Sequence, residues 1–415
     1  MSQDTALPEN ARVAIVGAGH AGGTAAALLR QFKHTGPVTL IGAEEAAPYQ
    51  RPPLSKAFLK GDAGFESLLL KPDAFYEKHE IDLRTGVRAE GIDRAARRVL
   101  LPGGESLAYD ALILATGSRN RALPALTGMP GVHELRSLKD ALGLQGALGP
   151  GRKLVIVGGG YIGLEAAASA IALGAEAVIV EREPRVLART ASPELAAFFE
   201  DFHRKQGVQI LTGASVAEME AGEDGHVRAV RLEDGTRIDC DAVLVGVGAQ
   251  AEDAMAADCG LACEGGVVVD LQARTADPSV FAVGDMTLRP MPLYENRMFR
   301  LESVPNALEQ ARQAASAITG RPAPKAEAPW FWSDQFDLKL QIAGLPFEAD
   351  EIVTRGDPSS GKFAIFHLKG GGVRAVEAVN APDAFMGGRM MLLAGTKVDA
   401  ERLADPEISV KEAAG

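Results

Sequence analysis

Short, unbroken apolar runs punctuate this chain, and most of them lead into a glycine. Leu154–Val157 is four apolar residues in a row, followed by Gly158, Gly160 and Gly163 and the opening of a helix. Arg12–Gly22, RVAIVGAGHAG, repeats the arrangement with Gly17, Gly19 and Gly22, leading into a helix over Thr24–Gln31. Runs of this length and composition read as strands buried on both faces. Each of the two has a following strand: Val38–Ile41, leading to Glu44, and Ala177–Val180, ending on Glu181. Tyr109–Gly117 is a further buried strand running into Thr116-Gly117, Asp241–Gly248 echoes it, and Val280–Asp285 is a short apolar strand ending on Gly284-Asp285. Asp93–Leu101 and Glu105–Leu107 form a β-excursion around the turn Pro102-Gly103-Gly104.

Helical patterns fill the spaces between. Ser137–Leu148 is a helix in the connector Leu126–Gly151, and Ser192–Gln206 is amphipathic, with Ser192 as N-cap and Pro193 at the first helical position. Ser303–Gly320 is long, with Ser303 and Asn306 as candidate caps. Pro52 and Pro53 fix an extended entry to a short helix over Leu54–Lys60. The pattern changes after the Pro/Ala-rich stretch Arg321–Pro329. Leu338–Ile342, Glu351–Thr354, Phe363–Leu368 and Val373–Val379 read as strands, with a helix over Ala381–Leu393 behind them. The fold expected is α/β: two Rossmann-like dinucleotide-binding domains plus a C-terminal α+β domain. Residues 1–112 and 245–322 make the first, 113–244 the second and 323–415 the third.

The spacing G-x-G-x-x-G between strand and helix has a chemical purpose. Such a turn lets the backbone approach a pyrophosphate, and the helix N-terminus offers free N–H groups and a positive dipole end. Glu181, at the next strand end, would accept hydrogen bonds from both ribose hydroxyls and repel a 2′-phosphate, which favours NADH over NADPH. Its neighbour Arg182 argues the other way, and the carboxylate is expected to dominate. Two such turns imply two dinucleotides, and the usual reason is hydride transfer between a nicotinamide and a flavin. Other features carry two readings each. Lys56 is either a solvated helix lysine or an ammonium at a flavin edge. Asp285 is either a strand-end turn residue or a partner for a ribityl hydroxyl. Trp330 and Trp332 either pack an interface or shield a flavin.

Composition narrows the setting. With 415 residues and a net charge of −12, the chain is long enough for several domains and too acidic for general binding to nucleic acid or anionic membranes. The start, MSQDTALPEN, has neither the basic nor the apolar region of a signal peptide, and no apolar run is long enough to span a bilayer. A cytoplasmic, soluble protein is expected. Its three cysteines, Cys240, Cys259 and Cys263, read as structural thiols rather than a redox pair or half a metal site, and no metal site is expected.

Taken together, PYQRPPLSK (Pro48–Lys56), ATG (Ala115–Gly117), VGGGYIGLE (Val157–Glu165), VFAVGD (Val280–Asp285), RLESVPNA (Arg300–Ala307) and WFWSDQ (Trp330–Gln335) are specific. The chain resembles, over essentially its whole length, the FAD-dependent NADH:ferredoxin reductases of bacterial cytochrome P450 and Rieske-type oxygenase systems. These have the pyridine nucleotide-disulfide oxidoreductase fold, glutathione-reductase-like in its two dinucleotide domains. The resemblance implies FAD held by Gly17, Gly19, Gly22, Glu44, Arg51, Lys56, Thr116, Gly117, Arg121, Gly284 and Asp285. It implies NADH at Gly158, Gly160, Gly163, Glu165 and Glu181, with Arg189 near the adenine or ribose. Lys56 and Glu165 would pair beside the flavin N5, Tyr161 would cover the flavin face, Glu302 and Trp332 would lie near the flavin edge where electrons leave, and Val304 would be a further cofactor-binding residue.

A [2Fe-2S] ferredoxin is the implied partner of a monomer or weak homodimer. Arg297, Arg300, Arg312 and Lys339 are candidates for its docking patch or else ordinary solvated charges. Tyr49-Gln50-Arg51-Pro52 departs from the thiol-using branches in carrying no cysteine, so disulfide reduction and thiol-based oxidation lack their nucleophile. Three alternatives remain: a reductase for another acceptor such as rubredoxin or a nitrite-reductase partner, a non-thiol NADH oxidase, and an NADH-sensing flavoprotein of the apoptosis-inducing-factor type.

Overall fold

The computed structural model describes residues 7–121, 123, 126 and 128–414. The first six residues of the stretch read for a leader lie outside them. Two compact units partition the chain: residues 1–50, 65–119 and 250–329 in one, and 51–64, 120–249 and 330–415 in the other.

The first unit is built on a five-stranded parallel sheet, ordered Val280–Ala282, Ala111–Leu114, Val13–Val16, Val38–Ile41, Ile81–Arg84. Alternate residues of its strands enter two separate cores. Val13, Ile15, Ile113 and Phe281 pack on one face against Leu29 of the helix His20–Gln31 and Ala311 of the helix Val304–Ile318. Ala14, Val16, Leu112 and Val280 pack on the other against Val99 and Leu261. Burial of both faces explains why the strands are apolar without alternation. The β-excursion is a three-stranded antiparallel sheet of Gly91–Asp93, Arg98–Leu100 and Ser106–Ala108.

The second unit holds a corresponding five-stranded parallel sheet: Gln209–Thr212, Glu176–Glu181, Lys153–Val157, Ala242–Val245, Val132–His133. It also holds a five-stranded antiparallel sheet ordered Trp330–Gln335, Leu338–Gly344, Gly372–Val379, Lys362–Lys369, Glu351–Asp357, against which the helix Pro382–Ala394 packs through Gly388 on Val376. Among the described residues, no helix is long and apolar enough to cross a membrane.

Three local differences from the sequence expectation have physical causes. The first helix starts at His20, not Thr24, because Gly22 and Gly23 lie inside it. A Cβ at Gly22 would sit 1.9 Å from the Gly17 carbonyl oxygen, and one at Gly23 would sit 2.6 Å from Pro48 Cβ, so these are packing glycines and not helix breakers. Leu54–Lys60 is not a helix. A 3-10 turn spans Pro52–Ser55 and ends at Lys56, whose φ of −126° and ψ of −110° leave the helical region. Trp330–Gln335, noticed in the sequence for its aromatic residues and as a motif of the resemblance, is a strand.

Candidate functional site

The two glycine turns are near copies, and their three glycines are required for different reasons. Gly17 and Gly158 have φ of +113° and +112°, and a Cβ there would meet the Ala115 carbonyl oxygen at 2.2 Å and the Gly246 carbonyl oxygen at 2.4 Å. These first glycines let the turn press against the neighbouring strand end. The third pair lets the helix close on the turn: a Cβ at Gly163 would meet the Gly158 oxygen at 2.2 Å, as Gly22 meets Gly17. The middle glycines, Gly19 and Gly160, have nothing within 4 Å of a built Cβ among the described residues. Each is the N-cap of its helix, and neither helix receives a side-chain cap. An uncapped helix N-terminus beneath an open glycine fits a dinucleotide pyrophosphate in both units.

In the first unit hydrogen bonds fix the strand ends. The Thr116 hydroxyl donates to the Glu252 carbonyl at 2.6 Å, and Gly117 accepts from the Glu252 N–H at 2.9 Å. Gly284 donates its N–H to Gln310 Oε1 at 2.8 Å, and the Ser118 hydroxyl donates to the Asp285 carboxylate at 3.1 Å. Glu44 accepts a hydrogen bond from the Tyr49 hydroxyl at 2.6 Å. Glu302 is exposed and paired with Arg300, whose guanidinium also reaches the Asp285 carbonyl at 3.3 Å. Val304 opens the helix Val304–Ile318, capped by Ser303 alone, whose hydroxyl accepts from the Asn306 N–H at 3.2 Å. Arg297 and Arg312 are exposed, and Arg300 makes these internal bonds.

In the second unit Glu181 ties down its own glycine turn. Its Oε2 accepts from the Gly159 N–H at 2.6 Å and its Oε1 from the Glu183 N–H at 2.8 Å. Arg189 is exposed, and a Cβ at Gly248 would lie 3.1 Å from its Nη2. Arg51 donates to the Arg136 carbonyl at 2.6 Å, and the exposed Arg121 is held through its backbone N–H on the Gly248 carbonyl at 2.9 Å. Tyr161, at the start of the helix Tyr161–Ala172, donates its hydroxyl to the Thr190 carbonyl at 3.3 Å and meets Phe331 edge-on at 4.8 Å. Burial raises its phenol well above the ordinary range. Trp332 lies 5.6 Å from Trp330, and Lys339 is exposed.

Lys56 and Glu165 form the pair that the resemblance implies. Their charged atoms are 2.6 Å apart, with side chains 16% and 6% exposed. The segment carrying Lys56 is fastened to the helix carrying Glu165 at two points. The Ser55 hydroxyl donates to Glu165 Oε2 at 2.5 Å, and the Ser169 hydroxyl donates to the Ser55 carbonyl at 2.7 Å. Gln145 grips the far end of the segment through the Phe58 carbonyl at 2.9 Å. Sequence reasoning missed Ser55, Ser169 and Ser333, whose hydroxyl donates to the other Glu165 oxygen at 2.6 Å. Only the last had a signal: small or polar residues at alternate positions of an aromatic strand.

The cysteines are remote from this chemistry in character. Cys240 is buried and its thiol is pushed up to about 12, while burial also raises Cys259 and Cys263. None is a ready thiolate.

Comparison with known proteins agrees with the geometry. The family described as pyridine nucleotide-disulphide oxidoreductase matches residues 11–311, and the reductase C-terminal family matches residues 330–414. The probable ferredoxin reductase CtmF of Castellaniella defragrans is 51% identical over 403 residues, covering 97% of this chain and 98% of the relative. Putidaredoxin reductase CamA of Pseudomonas putida is 40% identical over 408 residues, covering 97% and 96%. The crystal structure of the covalent putidaredoxin reductase–putidaredoxin complex superposes with a TM-score of 0.95 at 39% identity, covering 97% of this chain and 98% of that one. The chain therefore belongs to the pyridine nucleotide-disulphide oxidoreductase family and, within it, to the ferredoxin reductases.

Proposed function

We propose that this protein is an NADH-dependent ferredoxin reductase that moves a hydride from NADH to FAD and passes electrons singly to a [2Fe-2S] ferredoxin serving a cytochrome P450 or aromatic-ring oxygenase. The observation that carries this reading is the doubled glycine turn, each with its middle glycine open and its helix uncapped. The cofactors, when bound, supply a two-electron donor and a carrier able to release one electron at a time.

The residues divide the work. Gly17, Gly19, Gly22, Glu44, Thr116, Gly117, Gly284 and Asp285, with Arg51, Lys56 and Arg121, hold FAD. Gly158, Gly160 and Gly163 take the NADH pyrophosphate, Glu181 its ribose, and Arg189 the adenosine end. Lys56, anchored by Glu165, would favour negative charge on a bound flavin. Tyr161 would cover the flavin face and give way to the nicotinamide. Glu302 and Trp332 would belong to the exit side, and Val304 would join the cofactor-binding residues. On this reading residues 1–112 and 245–322 are the FAD domain, 113–244 the NADH domain and 323–415 a C-terminal module. The protein works in the cytoplasm as a monomer or weak homodimer.

The test is NADH-driven reduction of a purified [2Fe-2S] ferredoxin, followed through cytochrome c, beside rubredoxin and oxygen alone. Ferredoxin-dependent turnover at least about tenfold above both controls supports the assignment, that ratio being about 1.4 kcal/mol of preference. Equal rates with oxygen alone would make the protein an oxidase, and a preference for rubredoxin would change the acceptor.

A further inference from the structure

The tryptophans of Trp330–Gln335 occupy one face of their strand. The other face carries Phe331, Ser333 and Gln335. The first two fit the helix Tyr161–Ala172 by simple metrics. Two residues along a strand advance about 6.6 Å, and four along a helix about 6 Å. Phe331 therefore meets Tyr161, and Ser333 meets Glu165, one helical turn on. Behind them the bonding continues. Gln335 Nε2 donates to Ser333 Oγ at 3.0 Å, and His203 Nε2 bonds Gln335 Oε1 at 2.8 Å. Ser333, Gln335 and His203 are 1%, 1% and 0% exposed.

The direction of the chain decides what it does. The Gln335 oxygen faces His203 and can only accept, so the proton of that bond sits on His203 Nε2, a tautomer assigned from its partner. Every donor in the series then points toward Glu165 Oε1, while Lys56 and Ser55 donate to Oε2. Passing a proton along the series would require Gln335 to take one on oxygen and release one from nitrogen. The amide therefore blocks proton transfer, and what remains is fixation of the Glu165 carboxylate from both sides.

We propose that Ser333, backed by Gln335 and His203, is a positioning residue for Lys56 in hydride transfer: it fixes the Glu165 carboxylate that holds the ammonium. This rests on the reading of Lys56 given above. Deleting the hydroxyl leaves Glu165 with less of its charge compensated, so the field on the flavin becomes more negative and reduced flavin is disfavoured.

The experiment compares the FAD-loaded wild type with S333A, S333T and K56M. Two quantities are measured: the limiting rate of anaerobic flavin reduction by NADH, and the flavin midpoint potential by dye equilibration. S333A is expected to lower the limiting rate about tenfold, the scale of one charge-assisted hydrogen bond. Its NADH concentration for half-saturation should change little, and its potential should move negative. S333T, which keeps the hydroxyl, should restore both. If S333A keeps wild-type rate and potential while K56M loses both, the inference is overturned and the Lys56 reading stands. Failure of S333T to restore either quantity reduces Ser333 to packing and also overturns it. If K56M itself matches wild type, the Lys56 reading is wrong and this inference falls with it.

Discussion

Single residues in this protein separate what folding requires from what the ligand requires. Gly158 and Gly160 are two positions apart, yet only the first is forced by the backbone. G158A places a Cβ on a carbonyl oxygen at positive φ and should cost about 3 kcal/mol or more in chemical denaturation. G160A enters open space at ordinary backbone angles. It should melt within about 2 °C of wild type while raising the KM for NADH about tenfold or more, because its methyl fills the space the pyrophosphate needs. A large loss of stability in G160A would refute this division.

Glu377 is the contrasting case, a carboxylate whose hydrogen-bond partners belong to the fold. It is fully buried and accepts from the Ser192 N–H at 2.9 Å, from the Ser192 hydroxyl, and from His367 Nε2 at 3.1 Å. E377A orphans these groups and should destabilise by about 3–5 kcal/mol in urea titrations. A loss below about 1 kcal/mol would mean that the site relaxes or hydrates.

Elements were legible in the sequence where one rule governs them. The strand-turn-helix units at Gly17 and Gly158, the Ser192 and Ser303 caps and the C-terminal strands follow from apolar runs and capping chemistry. The segment after Pro53 was misread because its conformation is set by partners distant in sequence: Ser55 and Lys56 bind Glu165, and Phe58 is gripped by Gln145. No local propensity encodes such contacts. Ser333 and Gln335 showed only their polar alternation, in a motif dominated by its tryptophans.

The helix Pro193–Lys205 offers a pH test at this scale. Burial lowers His203 from its ordinary value to about 4, so the folded protein keeps it neutral where the unfolded chain takes up a proton. Stability from this group is complete above about pH 6.5 and is lost as pH falls toward 4, by about 3 kcal/mol in total. The difference in unfolding free energy between wild type and H203Q, measured across that interval, should show this slope. A flat difference would mean that His203 is protonated in the fold.

At the scale of the whole molecule, the chemistry belongs to bound cofactors and not to thiols. The family contains disulfide oxidoreductases, but here the cysteines are raised in pKa by burial and lie outside the Tyr49–Pro52 stretch. Replacing all three with serine should therefore leave ferredoxin-dependent turnover within about twofold, since no thiolate takes part. Loss of turnover in a variant that still binds FAD would reinstate a thiol mechanism.

The relay itself is tested most directly by anaerobic stopped-flow of the FAD-loaded protein against NADH and then NADPH, watching flavin absorbance. The account predicts rapid bleaching with NADH. It also predicts a second-order rate at least about tenfold lower with NADPH, because a carboxylate at the ribose position repels a 2′-phosphate. No bleaching, or only a slow charge-transfer band, would contradict the hydride relay, and equal rates with the two nucleotides would contradict the role of Glu181.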